Sequence, residues 1–308
     1  MDSVKERVRL SECQNNIEGI VKQGNVCVVY RLKSGDYLKI FPGLIINLFK
    51  NQQGLDVRQK IETSHPISNV PEIVVPKAIV KDDINHSDMF AYISPGVAGE
   101  SLSDKVKTWL AGDNLDLHYF AERISEIEKV VKRANKSGIV FPDLPTLNNI
   151  IFDKSGMKVI DYDGLQVGRF QADSIADFYA DNEMLSKPKY YNSQTRLFNT
   201  NLDKKSLMHL YFKMVFCIDL TALDNGPQCI KETAIREILE RLGIDDSEML
   251  YKLSLALDAR YGYLDTRNQD NEYLGNLPFK IAENYDMVFT GEPKGAAFSR
   301  RLVKKANQ

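Results

Sequence analysis

Metal-binding cysteine pairs, histidine clusters and long apolar runs are all missing from this 308-residue chain. The four cysteines show no C-x-x-C spacing and the four histidines are scattered, so neither a zinc site nor a Ser-His-Asp triad is indicated. Apolar runs such as residues 26–30 and 214–218 are far shorter than the roughly 20 residues that cross a bilayer. Cys27 and Cys217 lie inside these runs, and we expect them to be buried free thiols in a reducing compartment.

A charge imbalance is also missing, because 40 basic residues nearly balance 42 acidic ones and the net charge is −2. This balance predicts no bulk attraction to nucleic acid or to an acidic membrane surface. Residues 1–7 lack the apolar core of a signal peptide, and we therefore expect a cytoplasmic protein. The length and a hydrophobic content of 43% suffice for one large core or for two lobes.

The most informative feature that is present is a set of carboxylates and amides between residues 138 and 164. Asp143 lies in a predicted loop, Asn148 and Asn149 follow at the start of a short strand, and Asp161 ends a second apolar run. Transfer of a nucleotide γ-phosphoryl group needs a carboxylate that orients the acceptor hydroxyl, and Asn and Asp oxygens that hold Mg²⁺. The alternative is that these residues only form polar turns around a β-hairpin.

This segment resembles the catalytic loop and metal-binding motif of the protein-kinase superfamily, H-R-D-x-x-x-x-N followed by D-F-G. Residues 141–143 are F-P-D in place of H-R-D, and residues 161–164 are D-Y-D-G in place of D-F-G. The resemblance implies that Asp143 is catalytic and that Asp161 binds the metal. Asn148 and Asn149 are both candidates for the second metal ligand, the first by its spacing and the second because it directly precedes the strand.

Upstream, a predicted hairpin carries a lysine in the middle of its second strand. Residues 25–32 and 37–41 are β-rich runs joined by a turn at 33–36, and Lys39 has aliphatic neighbours on both sides. Lys39 resembles the V-A-I-K lysine of kinases, which reaches the α- and β-phosphates of ATP. The alternative is a lysine that faces solvent on an alternating strand.

Residues 19–26 resemble the kinase glycine loop, G-x-G-x-x-G-x-V. Gly19, Gly24 and Val26 match this pattern, and Val21 replaces the middle glycine. Glycines let backbone amides approach phosphate oxygens closely. The resemblance implies that these residues contact the nucleotide, and that the loop surrounds it less tightly at Val21.

Further assignments come from the same resemblance. A predicted helix between residues 51 and 64 offers Asp56 and Glu62 as the acidic partner of Lys39, and the sequence leaves both open. The predicted strand at 88–95 resembles the hinge between kinase lobes, where the backbone hydrogen-bonds adenine. The residues assigned to the nucleotide in this way, together with one position of the strand after the catalytic loop, are Glu62, Ala91, Tyr92, Ile93 and Ile151.

Residues 201–211 open a long apolar helix, which is predicted at 206–222 and has Asp203 and Ser206 near its start. They resemble the D-x-x-S start of the kinase helix that follows the activation segment, where the Asp anchors the catalytic loop through its backbone. The alternative for Asp203 is a helix N-cap. Other predicted elements are a strand at 71–76 and helices at 117–134, 230–242 and 247–257.

The order of these features predicts an α+β protein with a bilobal, protein-kinase-like fold. Its small antiparallel-sheet N-lobe spans residues 17–95, and its larger helical C-lobe spans residues 96–281. Residues 1–16 and 282–308 are predicted to be terminal extensions.

The implied activity is transfer of the γ-phosphoryl group of ATP to a hydroxyl, with Mg²⁺ and with Ser or Thr of a protein as the preferred acceptor. The helix start at Asp203 favours the protein-kinase branch. Pro145, in place of the lysine usual in that branch, and the D-x-D pattern at 161–163 favour small-molecule phosphotransferases similar to aminoglycoside and choline kinases. A pseudokinase that binds a partner without chemistry is the third alternative. The expected partner is a protein substrate or a small hydroxyl-bearing molecule, with no nucleic acid and no membrane.

Overall fold

The structure is a computed structural model, and it describes residues 6–23, 27–41, 57–65, 67–81, 83, 89–105, 117–144, 147–154, 156–172, 188, 190–216, 274–276, 278–279 and 282. These residues combine a mixed sheet with helices, so the α+β class is confirmed for them. Several predicted features lie outside the described residues: Gly24, Val26, Asp56, the helices at 230–242 and 247–257, and residues 283–308.

A six-stranded sheet is built from the N-terminal part of the chain. Its strands are β1 (Glu6–Arg9), β2 (Ile17–Gln23), β3 (Val28–Leu32), β4 (Tyr37–Phe41), β5 (Ala78–Lys81) and β6 (Phe90–Ser94). They lie in the order β1-β5-β6-β4-β3-β2, and all pairs are antiparallel except β1 with β5. The predicted hairpin around Lys39 is β3–β4 and is confirmed.

Short strands form three smaller sheets in the rest of the described chain. They are β7 (Glu100–Ser101), β8 (Ile139–Val140), β9 (Ile150–Asp153), β10 (Gly156–Val159), β11 (Gln166–Val167), β12 (Tyr191–Asn192) and β13 (Leu197–Phe198). The sheets are β10-β9-β7, β11-β8 and β12-β13. The β9–β10 hairpin is the one predicted after the catalytic loop, and it delivers the chain to Asp161.

Two sequence predictions about the sheet need correction. The predicted N-terminal extension supplies β1, which pairs in parallel with β5, and Leu10 and Cys13 just after it are buried. Residues 71–76 do not form the predicted strand. Ile73 makes only an isolated parallel bridge with Val159, and the strand itself begins at Ala78.

The register of β4 against β6 places a lysine on an aromatic face. Lys39 lies opposite Tyr92, and Phe41 lies opposite Phe90. Opposed residues and alternate residues along a strand share one face of a sheet, so all four side chains project the same way. The three rings lie 6.0–6.3 Å apart, and Lys39 Nζ lies 5.5 Å from the centre of the Phe41 ring. Lys39 is therefore directed into the interior of the protein.

The helices with described bounds are α1 (Leu10–Gln14), α2 (Val57–Glu62), α3 (Leu117–Lys136) and α4 (Asn201–Phe216). Helix α3 buries Phe120, Ile124, Ile127 and Val131 on one stripe, as the three- and four-residue spacing predicts. It stops where Gly138 adopts φ +74, a left-handed conformation that suits a helix C-terminus. Among the described residues, no helix is both long enough and apolar enough to span a bilayer.

Helix α4 begins at Asn201, five residues before the start predicted from the sequence. The Asn199 side chain accepts a hydrogen bond of 3.0 Å from the Asn201 N–H, which satisfies a donor that the helix leaves unpaired. The same cluster of buried side chains includes Leu207 of α4, Phe120 of α3 and Phe41 of the sheet. The cluster also contains Ile150 and Val159 of the β9–β10 hairpin, so it packs the sheet against the hairpin that precedes Asp161.

Gly99 allows the segment before β7 to pass close to β9, and its replacement gives a test of this packing. Its φ is +146, and an added Cβ would lie 2.5 Å from the Phe152 carbonyl oxygen and 2.8 Å from Ile151 Cγ2. We expect Gly99→Ala to lower the free energy of unfolding by about 1–3 kcal/mol in urea titrations. Gly19→Ala is the control, because no atom lies within 4 Å of its added Cβ. Equal unfolding midpoints for the two variants would contradict the close approach.

Candidate active site

Lys39 joins the sheet to the loop that follows the β9–β10 hairpin. Its Nζ donates hydrogen bonds to Asp161 Oδ1 and to Asp163 Oδ2, the second at 2.6 Å. Lys39 is only 8% exposed and Asp163 only 1% exposed. The solvent-facing interpretation of Lys39 is therefore wrong, and the strand lysine meets the predicted metal-binding aspartate 122 positions along the chain.

Asp163 also accepts a hydrogen bond from a second side chain of the sheet. The Tyr92 hydroxyl donates to Asp163 Oδ1, while Lys39 donates to Oδ2. Burial, with the Asp163 charge beside it, raises the pKa of Tyr92 well above its usual value, so the hydroxyl keeps its proton and acts as a donor. The two opposed residues of β4 and β6 therefore bind one buried carboxylate together.

The backbone of residues 91–93 does not have the hinge role assigned from the sequence. Ala91, Tyr92 and Ile93 pair with β4 on one side and with β5 on the other. Their N–H and C=O groups are committed to these two ladders, and the Ile93 carbonyl also accepts from the Lys77 N–H. The assignment of adenine hydrogen bonds to these three residues is therefore corrected, because β6 is a central strand whose backbone pairs on both sides.

Asp161 stands at a strained turn where the hairpin ends. It adopts φ 71 and ψ 56, the left-handed conformation, and a short 3-10 helix, Tyr162–Gly164, follows it. Burial raises the pKa of the Asp161 carboxyl, the neighbouring Asp163 adds to this effect, and Lys39 opposes it. The Asp161 side chain keeps 29% of its surface exposed, so it remains open to a ligand.

Asp161 shares one small cavity with Asp143 and Asn149. The side-chain amide nitrogen of Asn149 donates to Asp143 Oδ2 at 3.0 Å. The backbone carbonyl of Asn149 accepts from the Ile160 N–H at 2.9 Å. Because Nδ2 is directed to Asp143, the Asn149 amide oxygen is the atom left to face a cation. Asn148 is exposed and does not line this cavity. Of the two candidates, the structure brings Asn149 to the other site residues.

Asp203 fastens the loop that carries Asp143. It is fully buried, and its Oδ1 accepts from the Phe141 N–H at 2.8 Å while its Oδ2 accepts from Asn135 Nδ2 at 2.6 Å. These bonds lead to the loop and to α3, so the N-cap interpretation is wrong and the predicted anchor to the loop backbone is present. Burial raises the pKa of Asp203 to about 7, although both hydrogen bonds oppose that rise.

Helix α2 does not bring its predicted acid to the lysine. Glu62 is exposed, and no ion pair joins it to Lys39 in the described structure. The charged side chain that α2 directs inward is Lys60, which is 1% exposed. Lys60 Nζ donates to the carbonyl oxygens of Asp163, Leu165 and Gln171, the last two at 2.9 and 3.0 Å. The assignment of Glu62 as the partner of Lys39 is therefore corrected.

The sequence analysis did not predict that Lys60, Tyr92 and Asp163 lie together. A signal for Lys60 exists, because it follows Val57 by three residues and precedes Ile61, on the apolar stripe of a short helix. A lysine on a buried stripe needs acceptors, and only the fold shows that they are three carbonyls of a distant loop.

The remaining predicted nucleotide contacts lie on β2 and β9. Gly19 and Val21 are in β2, an edge strand with two register shifts, and Val21 is 55% exposed. Lys22 of the same strand lowers the pKa of Asp161, so its charge is felt at the site. Ile151 of β9 is half-buried beside Gly99. None of these three predicted residues lines the Asp161 cavity.

The donor set fits Mg²⁺ held partly by a nucleotide and not by a protein cage. The described residues contain no group of three or more His, Cys, Asp or Glu side chains placed to hold a metal. Mg²⁺ is commonly bound by one or two carboxylates together with substrate phosphates and water. Asp161 and the amide oxygen of Asn149 supply such a partial set at the cavity.

Comparison with known proteins does not assign a family. Neither a protein-family model nor a curated protein sequence matches the chain. Among solved structures, the chain is similar to a kinase domain, PknI of Mycobacterium tuberculosis, solved as a mutant. The two are 12% identical with a TM-score of 0.41, over 64% of this chain and 72% of that one.

Proposed function

We propose that the protein is an ATP- and Mg²⁺-dependent phosphotransferase with a bilobal, protein-kinase-like fold. The observation that carries this proposal is the meeting of Lys39 with Asp161 beside the Asn149–Asp143 pair. A cation for phosphates, two oxygen ligands for a metal and a carboxylate for the acceptor thereby converge from three parts of the chain. Phosphoryl transfer depends on this kind of positioning and charge stabilisation more than on covalent chemistry.

Each side chain has a distinct task in this proposal. Lys39 binds the α- and β-phosphates, and Asp161 and Asn149 would hold Mg²⁺, which neutralises phosphate charge when bound. Asp143 accepts a hydrogen bond from the acceptor hydroxyl, orients its oxygen toward the γ-phosphorus and receives its proton. Asp203 keeps Asp143 in place through the Phe141 N–H.

The preferred acceptor is a Ser or Thr hydroxyl of a protein, as the loop-anchoring Asp203 supports. The second candidate is a small hydroxyl-bearing molecule. It is favoured by the second carboxylate of the D-x-D pattern, because Asp163 binds the strand lysine where protein kinases use an acid from the helix.

Intact-mass spectrometry of the purified chain with Mg-ATP tests the proposal. We expect the wild-type chain to gain one or more phosphates, and Lys39→Met to gain them at least tenfold more slowly because the phosphates lose their cation. Samples without Mg²⁺ are the control and should gain none.

Other outcomes separate the alternatives. ATP-dependent thermal stabilisation without a mass increase would direct the search to small-molecule acceptors, tested by ATP consumption with aminoglycoside and choline substrates. A chain with neither ATP binding nor turnover would contradict the phosphotransferase proposal and leave a binding module.

A further inference from the structure

The two carboxylates that bind Lys39 differ in their exposure and in their other hydrogen-bond partners. Asp161 lines the cavity with Asn149 and keeps part of its side chain exposed, so it can turn to a metal. Asp163 is 1% exposed and is also bound by the Tyr92 hydroxyl, with Lys39 on one oxygen and Tyr92 on the other. Two donors on opposite oxygens fix the plane of the Asp163 carboxylate.

We propose that Asp163 is the residue that positions Lys39 for phosphate binding, in place of an acid from helix α2. The role of Lys39 rests on the proposed function, whereas the pairing itself does not. Lysine carries its charge on a flexible four-carbon stem, so a fixed carboxylate is needed to hold the ammonium at one place. Asp163 remains in position when Asp161 is engaged with a metal, because its own partners come from the sheet.

Helix α2 contributes a lysine to this arrangement, and not an acidic residue. Lys60 binds the carbonyls of Asp163, Leu165 and Gln171, and so ties the helix to the loop that carries both carboxylates. Glu62, the acidic residue within Val57–Glu62, is exposed. The lysine–carboxylate pair therefore forms between sheet and loop, and its formation does not require an acid on α2 to swing inward.

The reactivity of the Lys39 amine tests the pairing without any nucleotide. The chain is treated with an amine-acylating reagent at fixed pH, and labelling of Lys39 is read by peptide mass spectrometry against exposed Lys136 as the internal reference. We expect Asp163→Asn to raise the relative labelling rate of Lys39 roughly tenfold, because the amine loses a buried, charged hydrogen-bond partner and is held less firmly away from the reagent. Tyr92→Phe should raise the labelling rate only about twofold, since Asp163 loses one of the two donors that fix it but keeps its charge and its own bond to Lys39.

Asp161→Asn is the comparison that decides between the two carboxylates. It should raise Lys39 labelling less than Asp163→Asn does, because Asp161 is the more exposed partner. The reverse order, or no change in Asp163→Asn, would overturn the proposal whether or not the chain turns over ATP.

Measurements of nucleotide turnover then test whether Asp163 positions Lys39 or only contributes to packing. If Asp163 acts through Lys39, Asp163→Asn should lower kcat/KM roughly tenfold in the wild-type background and have no further effect in Lys39→Met. Additive losses in the double variant would show a purely structural role and would overturn the proposal. Absence of turnover in the wild-type chain contradicts the proposed function only, because the labelling result stands by itself.

Discussion

Replacing Asp161 with asparagine is expected to slow phosphoryl transfer by about 10²–10³-fold. The variant keeps the shape of the side chain but removes the charge that would hold Mg²⁺ at the cavity shared with Asp143 and Asn149. Burial and the neighbouring Asp163 charge raise the pKa of Asp161 while Lys39 lowers it, so the carboxylate depends on nearby positive charge, to which Mg²⁺ would add when bound. Single-turnover transfer from labelled Mg-ATP to the chain, or to an identified acceptor, measures the loss.

The two adjacent asparagines provide a matched control for the same step. Asn149 lines the cavity and binds Asp143, whereas Asn148 is exposed. We expect Asn149→Ala to lower the rate about 10²-fold and Asn148→Ala to change it less than about twofold. Both variants should unfold at nearly the wild-type temperature. Equal losses at the two positions would show that the metal-binding geometry is not the one described.

The local sequence pattern was sufficient to predict the strands and the helix that carry the candidate site. The turn between two β-rich runs predicted the β3–β4 hairpin, and its alternation placed Lys39 in the middle of a strand. The apolar spacing of α3 and the glycine at its end predicted that helix to within two residues. The β9–β10 hairpin followed from two short apolar runs, so Asp161 was expected where it is found.

Sequence pattern did not show which strands are central or which distant groups meet. Residues 88–95 contain a β-rich run, but alternation cannot show that β5 and β4 pair with both of its edges, so the backbone of residues 91–93 was wrongly expected to be available for a ligand. The parallel pairing of β1 with β5 joins segments about 70 residues apart, and nothing local specifies it. The Lys60 contacts depend on a loop more than 100 residues away.

Asp203→Ala is expected to impair both the stability of the fold and the proposed phosphoryl transfer. Removal of the carboxylate leaves the buried Phe141 N–H without its acceptor, while Asn135 Nδ2 loses one bond and keeps its bond to the Ile139 carbonyl. An unsatisfied buried donor costs about 1–3 kcal/mol and a lost hydrogen bond about 1 kcal/mol, so the free energy of unfolding should fall by about 2–4 kcal/mol. The loop then loses the bond that fixes it two residues before Asp143, and a displacement near 1 Å can cost about 10² in rate.

The pH dependence of that destabilisation follows from the buried carboxyl. The pKa of Asp203 in the folded protein is about 7, above the value of about 3.9 for an unfolded aspartate. Between these values the folded state holds the proton and the unfolded state releases it. The contribution of Asp203 to stability therefore falls as pH rises from about 4 to 7, by at most about 1.4 kcal/mol for each pH unit.

Asp203→Asn isolates this effect because its side chain has the same shape and does not titrate. Other ionisable groups contribute alike to both proteins, so the difference in unfolding free energy between wild type and Asp203→Asn measures the carboxyl alone. Urea unfolding at pH 4.5, 6 and 8 should show the wild type losing stability relative to the variant as pH rises, with little further change above about 7. A difference that is constant with pH would mean that Asp203 is ionised throughout, and that its two hydrogen bonds outweigh the cost of burial.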